Sequence, residues 1–244
     1  MKNRKSKILR AIVESFIETA TPISSKFLQK RFNFPFSSAT IRNEMGNLEQ
    51  DGFLFSPHTS AGRVPTDEGF RFFLAECRDD LKKIKPNVEK EFLKIFLDHL
   101  NKKKINEKVF DAISVLTQLT PNVAFSTIPS SKRMFFLGFS NIMKQPEFIE
   151  NPGMASGVFK ILEENFQTVL ESLEIDQNAK IFIGNENIIP EIQSCTLIVC
   201  KFKLEKIPIF LGILGPMRMD FGRNIVAVEI ARDFIQSDGA TFED

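Results

Sequence analysis

The 244-residue chain balances 32 Lys and Arg against 31 Asp and Glu, for a net charge of +1, and 43% of its residues are hydrophobic. Such a chain can hold two modest domains with real cores, which excludes wholesale disorder. No stretch approaches the ~20 apolar residues of a membrane-spanning helix, and the basic start Met1–Lys5 is followed by no signal-type apolar run, so the expected location is the cytoplasm, with no membrane partner.

In chain order, residues 4–20 carry Ile8, Leu9, Ile12, Val13, Phe16 and Ile17, one face of an amphipathic helix that Thr21-Pro22 stops. Ser24 or Ser25 can cap a second short helix with Phe27 and Leu28 inward, and Asn33-Phe34-Pro35-Phe36 reads as a turn. Ser37-Ser38 caps a third helix running to about Gln50 and ending near Gly52. Phe53-Leu54-Phe55 and Arg63-Val64-Pro65 read as two short strands around a polar turn, and Thr66 caps a fourth helix with Asp67 and Glu68 in its first turn. Helices, hairpin and helix in this order predict a winged helix-turn-helix.

Beyond it, Lys82–Asn87 reads as a linker or helix end, with helical pattern resuming over 88–100 and 109–119. The Lys102-Lys103-Lys104 run between them reads as a solvated connection. A strand is expected at 133–139, one long helix over Gly157–Leu173, strands at 180–183, 196–203 and 207–214, and a last helix over 223–235. The second half is therefore expected to be α+β, with helices on a small antiparallel sheet.

Three cysteines, Cys77, Cys195 and Cys200, form neither a disulfide framework nor a zinc site. Cys195 and Cys200 sit at odd separation in a strand-like run, hence on opposite faces, and read as buried structural thiols. The chain has 26 Phe and no Tyr or Trp, for which the sequence offers no physical reason. Phe packs as Tyr does but gives up every hydroxyl contact.

Charge is unevenly placed. Lys2, Arg4, Lys5, Lys7 and Arg10 have no acid among them, and Lys26, Lys30, Arg31, Arg42, Arg63 and Arg71 follow. This is either a local nucleic-acid footprint or a solvated helix start. The third helix says more. With Ile41, Met45 and Leu48 inward, the opposite face holds Ala39, Asn43, Gly46, Asn47 and Gln50, without acid or bulk. Small residues let a helix approach the floor of a major groove, and Asn and Gln pair bidentately with adenine. Thr40 and Arg42 flank the face, within reach of phosphate or a guanine edge. Ser37 and Ser38 put a helix N-terminus beside the backbone. Gly46 costs the helix about 1 kcal/mol against Ala, which close approach of a ligand would explain. The bland alternative is an amphipathic helix with a polar solvent face. The tip Pro57-His58-Thr59-Ser60-Ala61-Gly62-Arg63 is either a wing along a DNA backbone, with Arg63 toward a minor groove, or a structural turn with an exposed Arg.

The run Ser37-Ser38-Ala39-Thr40-Ile41-Arg42-Asn43-Glu44-Met45, then Leu48-Glu49, then Pro57 to Thr66, closely resembles the HrcA family of heat-inducible transcription repressors. Ile8–Glu14, Pro22–Lys26, Leu137-Gly138 through Gln145–Phe148, and Gly215–Phe221 resemble the same family. The resemblance implies a homodimer on an inverted-repeat operator upstream of chaperonin and related operons. It also implies chaperonin as a partner whose titration by unfolded protein relieves repression, and a GAF-like C-terminal part interrupted by a dimerisation insert. The chain is shorter than typical members, and the missing part, including much of the GAF-like first half, is expected between the 109–119 helix and Arg133. Phe70 and Phe221 stand where many members carry Tyr.

The expected organisation is a winged helix-turn-helix over 1–81, a helical linker or dimerisation region over 82–120, and a shortened GAF-like regulatory or dimerisation domain over 121–244. The expected mechanism has two subunits presenting the third helix to successive major grooves. Ser37, Ser38, Thr40, Arg42, Asn43 and Asn47 set register and sequence, and His58, Thr59, Ser60 and Arg63 clamp the backbone. The alternative is a ligand- or chaperonin-responsive regulator whose C-terminal domain senses a small molecule. An enzyme is not expected. The two histidines, His58 and His99, fall in the turn and beside an apolar helical stripe, and Gly212–Pro216 lacks the lysine and spacing of a phosphate loop. No cofactor and no metal are expected, and no motif of an RNA-stacking sheet is present.

Overall fold

A computed structural model describes residues 3–58, 61–97, 105–128, 131, 133–204 and 206–237, in two units, Met1–Arg78 and Asp79–Asp244. His99 and the Lys102–Lys104 run, both singled out above, lie outside the described residues.

In the first unit the apolar stripe folds as α1 (Asn3–Thr19) and buries Ile8, Leu9, Ile12 and Val13 completely. Ala20, with φ 54°, turns the chain ahead of Pro22. Ser24 then caps α2 (Ser25–Phe32), its Oγ accepting from Phe27 N–H at 3.2 Å, and Asn33 closes the helix in the left-handed region. Ser37 caps α3 (Ser38–Gln50) in the same way, accepting from Thr40 N–H at 3.1 Å. Ile41, Met45 and Leu48 point inward and are buried, as their spacing predicts. After Gly52, β1 (Leu54–Phe55) pairs antiparallel with β2 (Val64–Pro65). Thr66 caps α4 (Asp67–Glu76), accepting from Gly69 N–H at 3.1 Å, and Phe70 packs its buried ring near Phe16 of α1.

The second unit opens with α5 (Arg78–Leu97), which runs unbroken through Pro86. The expected linker at 82–87 is therefore wrong. The lost hydrogen bond and ring clash of an internal Pro cost about 3 kcal/mol or more, but the stripe that continues past it, Val88, Phe92 and Phe96, is buried. Next come α6 (Ile105–Leu119), β3 (Val123–Ile128), β4 (Arg133–Leu137), α7 (Phe139–Ile142) and α8 (Pro146–Glu150). The single helix expected over 157–173 is instead α9 (Pro152–Glu164) and α10 (Phe166–Ser172). Asn165, at φ −135° and ψ 1°, breaks the helical path while its N–H still bonds Ile161 O at 3.1 Å. The bend leaves both Ile161 and Phe166 in the same core. β5 (Lys180–Ile183), the hairpin of β6 (Cys195–Leu204) and β7 (Ile207–Pro216), and α11 (Phe221–Gln236) complete the unit.

Among the described residues five strands form one antiparallel sheet in the order β4-β3-β7-β6-β5. β3 falls where the sequence promised a shortfall. It pairs with β4 on one side, Phe125 opposite Phe136, and with β7 on the other, Phe125 opposite Gly212. All six of its residues are buried, so it lacks the in-out alternation that marks a half-buried strand. One sheet face, with Val123, Phe125, Leu197, Val199, Phe210 and Leu214, shares a core with Val158, Ile161, Leu162 and Phe166 of the α9–α10 side. The alternate residues, among them Ala124, Ile198, Cys200 and Ile213, are also buried, on the face that α6 and α11 cover. Phe234 of α11 packs in tilted contact with Phe92 and Phe96 of α5, with ring centroids 5.9 and 4.1 Å apart. Cys195 and Cys200 are fully buried, as expected, and burial pushes both thiols up to about 12.

Two distant stretches of the family resemblance meet in this unit. Arg218 Nε lies 2.6 Å from Glu147 Oε1, and its NH2 donates to Gln145 Oε1 at 3.0 Å, joining the start of α8 to the β7–α11 turn.

Candidate nucleic-acid interface

α3 presents the face that its sequence implies. Ala39, Asn43, Asn47 and Gln50 are exposed and Gly46 half-exposed, while the inner side anchors the helix through Ile41, Met45 and Leu48. A methyl group built on Gly46 would meet nothing within 4 Å. No neighbour inside the unit requires glycine there. Ser37 Oγ lies 3.0 Å from Thr40 Oγ1 besides capping the helix, so the two hydroxyls form one polar corner at the helix N-terminus. Ser38 is half-buried beside it and Arg42 is exposed. Asn47 Nδ2 reaches Glu44 Oε2 only at the 3.5 Å limit, a weak bond that leaves the amide free to turn outward.

The basic N-terminus is partly neutralised by this same helix and its end. Arg4 pairs with Glu44 at 3.2 Å and Lys5 with Asp51 at 2.6 Å, while Arg31 pairs with Glu18 on the other side. Lys26, Lys30 and Arg42 have no acidic partner among the described residues. Uncompensated positive charge of the unit therefore lies at α2 and α3, with Lys7 on α1 also without an acidic partner among the described residues.

The hairpin is built differently. His58 is exposed at its tip, and Ser56 Oγ donates to His58 O at 2.8 Å. Thr59 and Ser60 lie outside the described residues. Arg63 is not a loose cation. Its backbone exchanges two hydrogen bonds with Ile23, at 2.8 and 2.9 Å. Its guanidinium reaches Glu49 Oε2 at 2.8 Å and Ser56 Oγ at 3.2 Å. The side chain thus ties the end of α3 and the segment before α2 to the base of the hairpin. Neither Glu49 as its partner nor the bridge to Ile23 can be read from sequence spacing, because both contacts are tertiary. A cleft of about 480 Å³ opens beside it, lined by Ser24, Ser25, Lys26 and Arg42 as well as Arg63. The Ser-Ser-Lys run at the start of α2 was the available signal for it, a capped helix start with an adjacent cation. Among the described residues no group of three or more His, Cys, Asp or Glu side chains is placed to hold a metal ion, and no helix is long and apolar enough to cross a membrane.

The profile of the HrcA protein C terminal domain matches residues 75–225. The heat-inducible transcription repressor HrcA of Natranaerobius thermophilus is 28% identical over 323 aligned positions, spanning 92% of this chain and 93% of the relative. So many positions against so short a chain mean that the relative carries internal segments absent here. The namesake from Thermodesulfovibrio yellowstonii is 32% identical over 70% of this chain and 51% of its own, and that from Thermobifida fusca 42% identical over 54% and 37%. A crystal structure described as that of a hypothetical protein shares the fold, with a TM-score of 0.77 at 19% identity over 97% of this chain and 96% of that one. With a profile that spans more than half of its residues, and relatives aligned along nearly its whole length, the chain belongs to the HrcA family.

Proposed function

We propose that this protein is a transcription repressor of heat-shock operons that binds duplex DNA as a homodimer through a winged helix-turn-helix in its first unit. The observation that carries the reading is the outward face of α3. It is exposed, free of bulk, rich in amides and flanked by an unpaired arginine. α3 is the recognition helix, with Asn43 and Asn47 meeting base edges and Ala39 and Gly46 permitting close approach. Ser37, Ser38, Thr40 and Arg42 hold phosphates and fix register. The hairpin is the wing, in which His58, Thr59 and Ser60 contact the DNA backbone and Arg63 holds it in place from below.

The second unit supports a GAF-like reading, a five-stranded antiparallel sheet with helices on both faces. β3 and β4 are both present and paired, so the segments that longer relatives carry in addition are not needed to complete this five-stranded sheet. Both faces of the sheet are filled with buried side chains, which favours a structural or dimerising role over small-molecule sensing. The family's dependence on chaperonin is the natural mode of regulation, and repression follows from blocking polymerase access. The activity is that of a regulator, not an enzyme.

Selection of duplexes from a random-sequence library by the full chain tests this reading. An inverted repeat with half-sites about one helical turn apart or a multiple of it, bound by two chains, is the expected result. Recovery of no common sequence would overturn it.

A further inference from the structure

The cleft beside α2 has no role in the reading so far. It opens between the N-terminus of α2, the side of α3 and the base of the hairpin, and three features of it call for an anion.

The first is the start of α2. Ser24 serves the N–H of Phe27 through its Oγ and that of Leu28 through its carbonyl, at 3.2 and 3.1 Å. The N–H groups of Ser25 and Lys26, in the first turn, have no intrahelical acceptor and carry the positive end of the helix dipole. The second is Ser25 itself. The residue is only 8% exposed, it lines the cleft, and its hydroxyl has no hydrogen-bond partner among the described residues. Its oxygen is not sealed off like that of Ser15, so the hydroxyl is open on the cleft side to an acceptor from outside the chain. The third is charge. Lys26 and Arg42 line the same cleft without an acidic partner among the described residues, whereas Arg63 is already met by Glu49 at 2.8 Å.

We infer that this cleft receives one backbone phosphate of the duplex on which α3 docks. Ser25 Oγ and the N–H groups of Ser25 and Lys26 donate hydrogen bonds to its oxygens, and the side chains of Lys26 and Arg42 supply the charge. Arg63 is a positioning residue that walls the cleft. The inference rests on the DNA-binding reading, because a helix seated in a major groove brings phosphates to its flanks. It adds phosphate contacts from α2 to the register-setting contacts already given to α3.

The probe is the duplex that the wild-type full chain selects from a random library, with the phosphates around one half-site replaced singly by neutral methylphosphonates. Lys26→Ala is expected to weaken binding to selected and scrambled duplexes by a similar factor. It should also make the slope of log affinity against log salt shallower by about 1, while Lys26→Arg keeps the slope. One methylphosphonate that weakens the wild type should cost Lys26→Ala far less, and Ser25→Ala should be non-additive with that same phosphate while unfolding at the wild-type denaturant midpoint. An unchanged slope, with additive effects at every phosphate, overturns the inference and leaves the DNA reading standing. A wild type that binds selected and scrambled duplexes alike overturns the DNA reading, and the inference with it.

Discussion

The outward face of α3 and the base of the hairpin stand a few residues apart in sequence and are built on opposite principles. Each has one glycine and one arginine. On α3, Gly46 has nothing within 4 Å of where a side chain would begin, and Arg42 is exposed without a partner among the described residues. At the hairpin base, a methyl group on Gly62 would fall 2.4 Å from the carbonyl carbon and oxygen of Ile23, and Arg63 is held by Glu49 and Ser56. The hairpin base satisfies itself. The α3 face is left with unserved groups and unexplained space, as a surface made to meet something else would be. The glycine that folding requires and the glycine that folding does not require look the same in sequence.

Substitutions can break or sharpen that contrast. The largest effect is expected from Gly62→Ala, since the clash is with backbone that cannot rotate away. Overpacking of this kind costs about 2–3 kcal/mol, read as a lower denaturant midpoint for the full chain. A stability equal to wild type would mean that the hairpin base can shift. Arg42→Ala should leave stability within about 0.5 kcal/mol, as for a surface site. It should weaken DNA binding by about 1–3 kcal/mol, uniformly across sequences and with a shallower salt slope. If the loss falls instead on one base position, Arg42 reads a base edge and the phosphate cleft loses a ligand.

Arg63→Ala should do the reverse. Losing a part-buried pair with Glu49, 23% and 34% exposed, costs about 1–2 kcal/mol of stability after allowance for solvent screening. The salt slope of the folded variant should stay at the wild-type value. A slope shallower by about 1 would make Arg63 a direct phosphate contact, as its place in the turn first suggests. Gly46→Ala gives the smallest and most telling change. Helix propensity raises stability by up to about 1 kcal/mol, while affinity for the selected duplex should fall because the added methyl group stands where the groove floor approaches. Unchanged affinity would show that α3 does not approach that closely.

Much of the first unit was legible because its signals are local. Ser24, Ser37 and Thr66 each announce a helix start and each makes the capping bond in the structure, and Ile41, Met45 and Leu48 fix which way α3 faces. What escaped was tertiary. β3 was hidden because Val123–Ile128 is buried on both faces and carries no alternation. Pro86 reads as a stop, yet the buried stripe through Phe92 and Phe96 holds α5 together across it. The break at Asn165 is invisible in a hydrophobic pattern that suits one helix as well as two. At the candidate site the exposed face could be named from spacing alone. The burial of Ser25, the Arg63–Glu49 pair and the cleft they border depend on segments that meet only after folding.

The central claim is that α3 reads duplex DNA, and fluorescence anisotropy across a salt series tests it most directly. The full chain would be titrated onto the inverted-repeat duplex it selects and onto a scrambled duplex of equal length. The account predicts a preference of about a thousandfold or more for the repeat, with affinity for both duplexes falling steeply as salt rises. Equal, weak binding to the two duplexes at every salt concentration would contradict it.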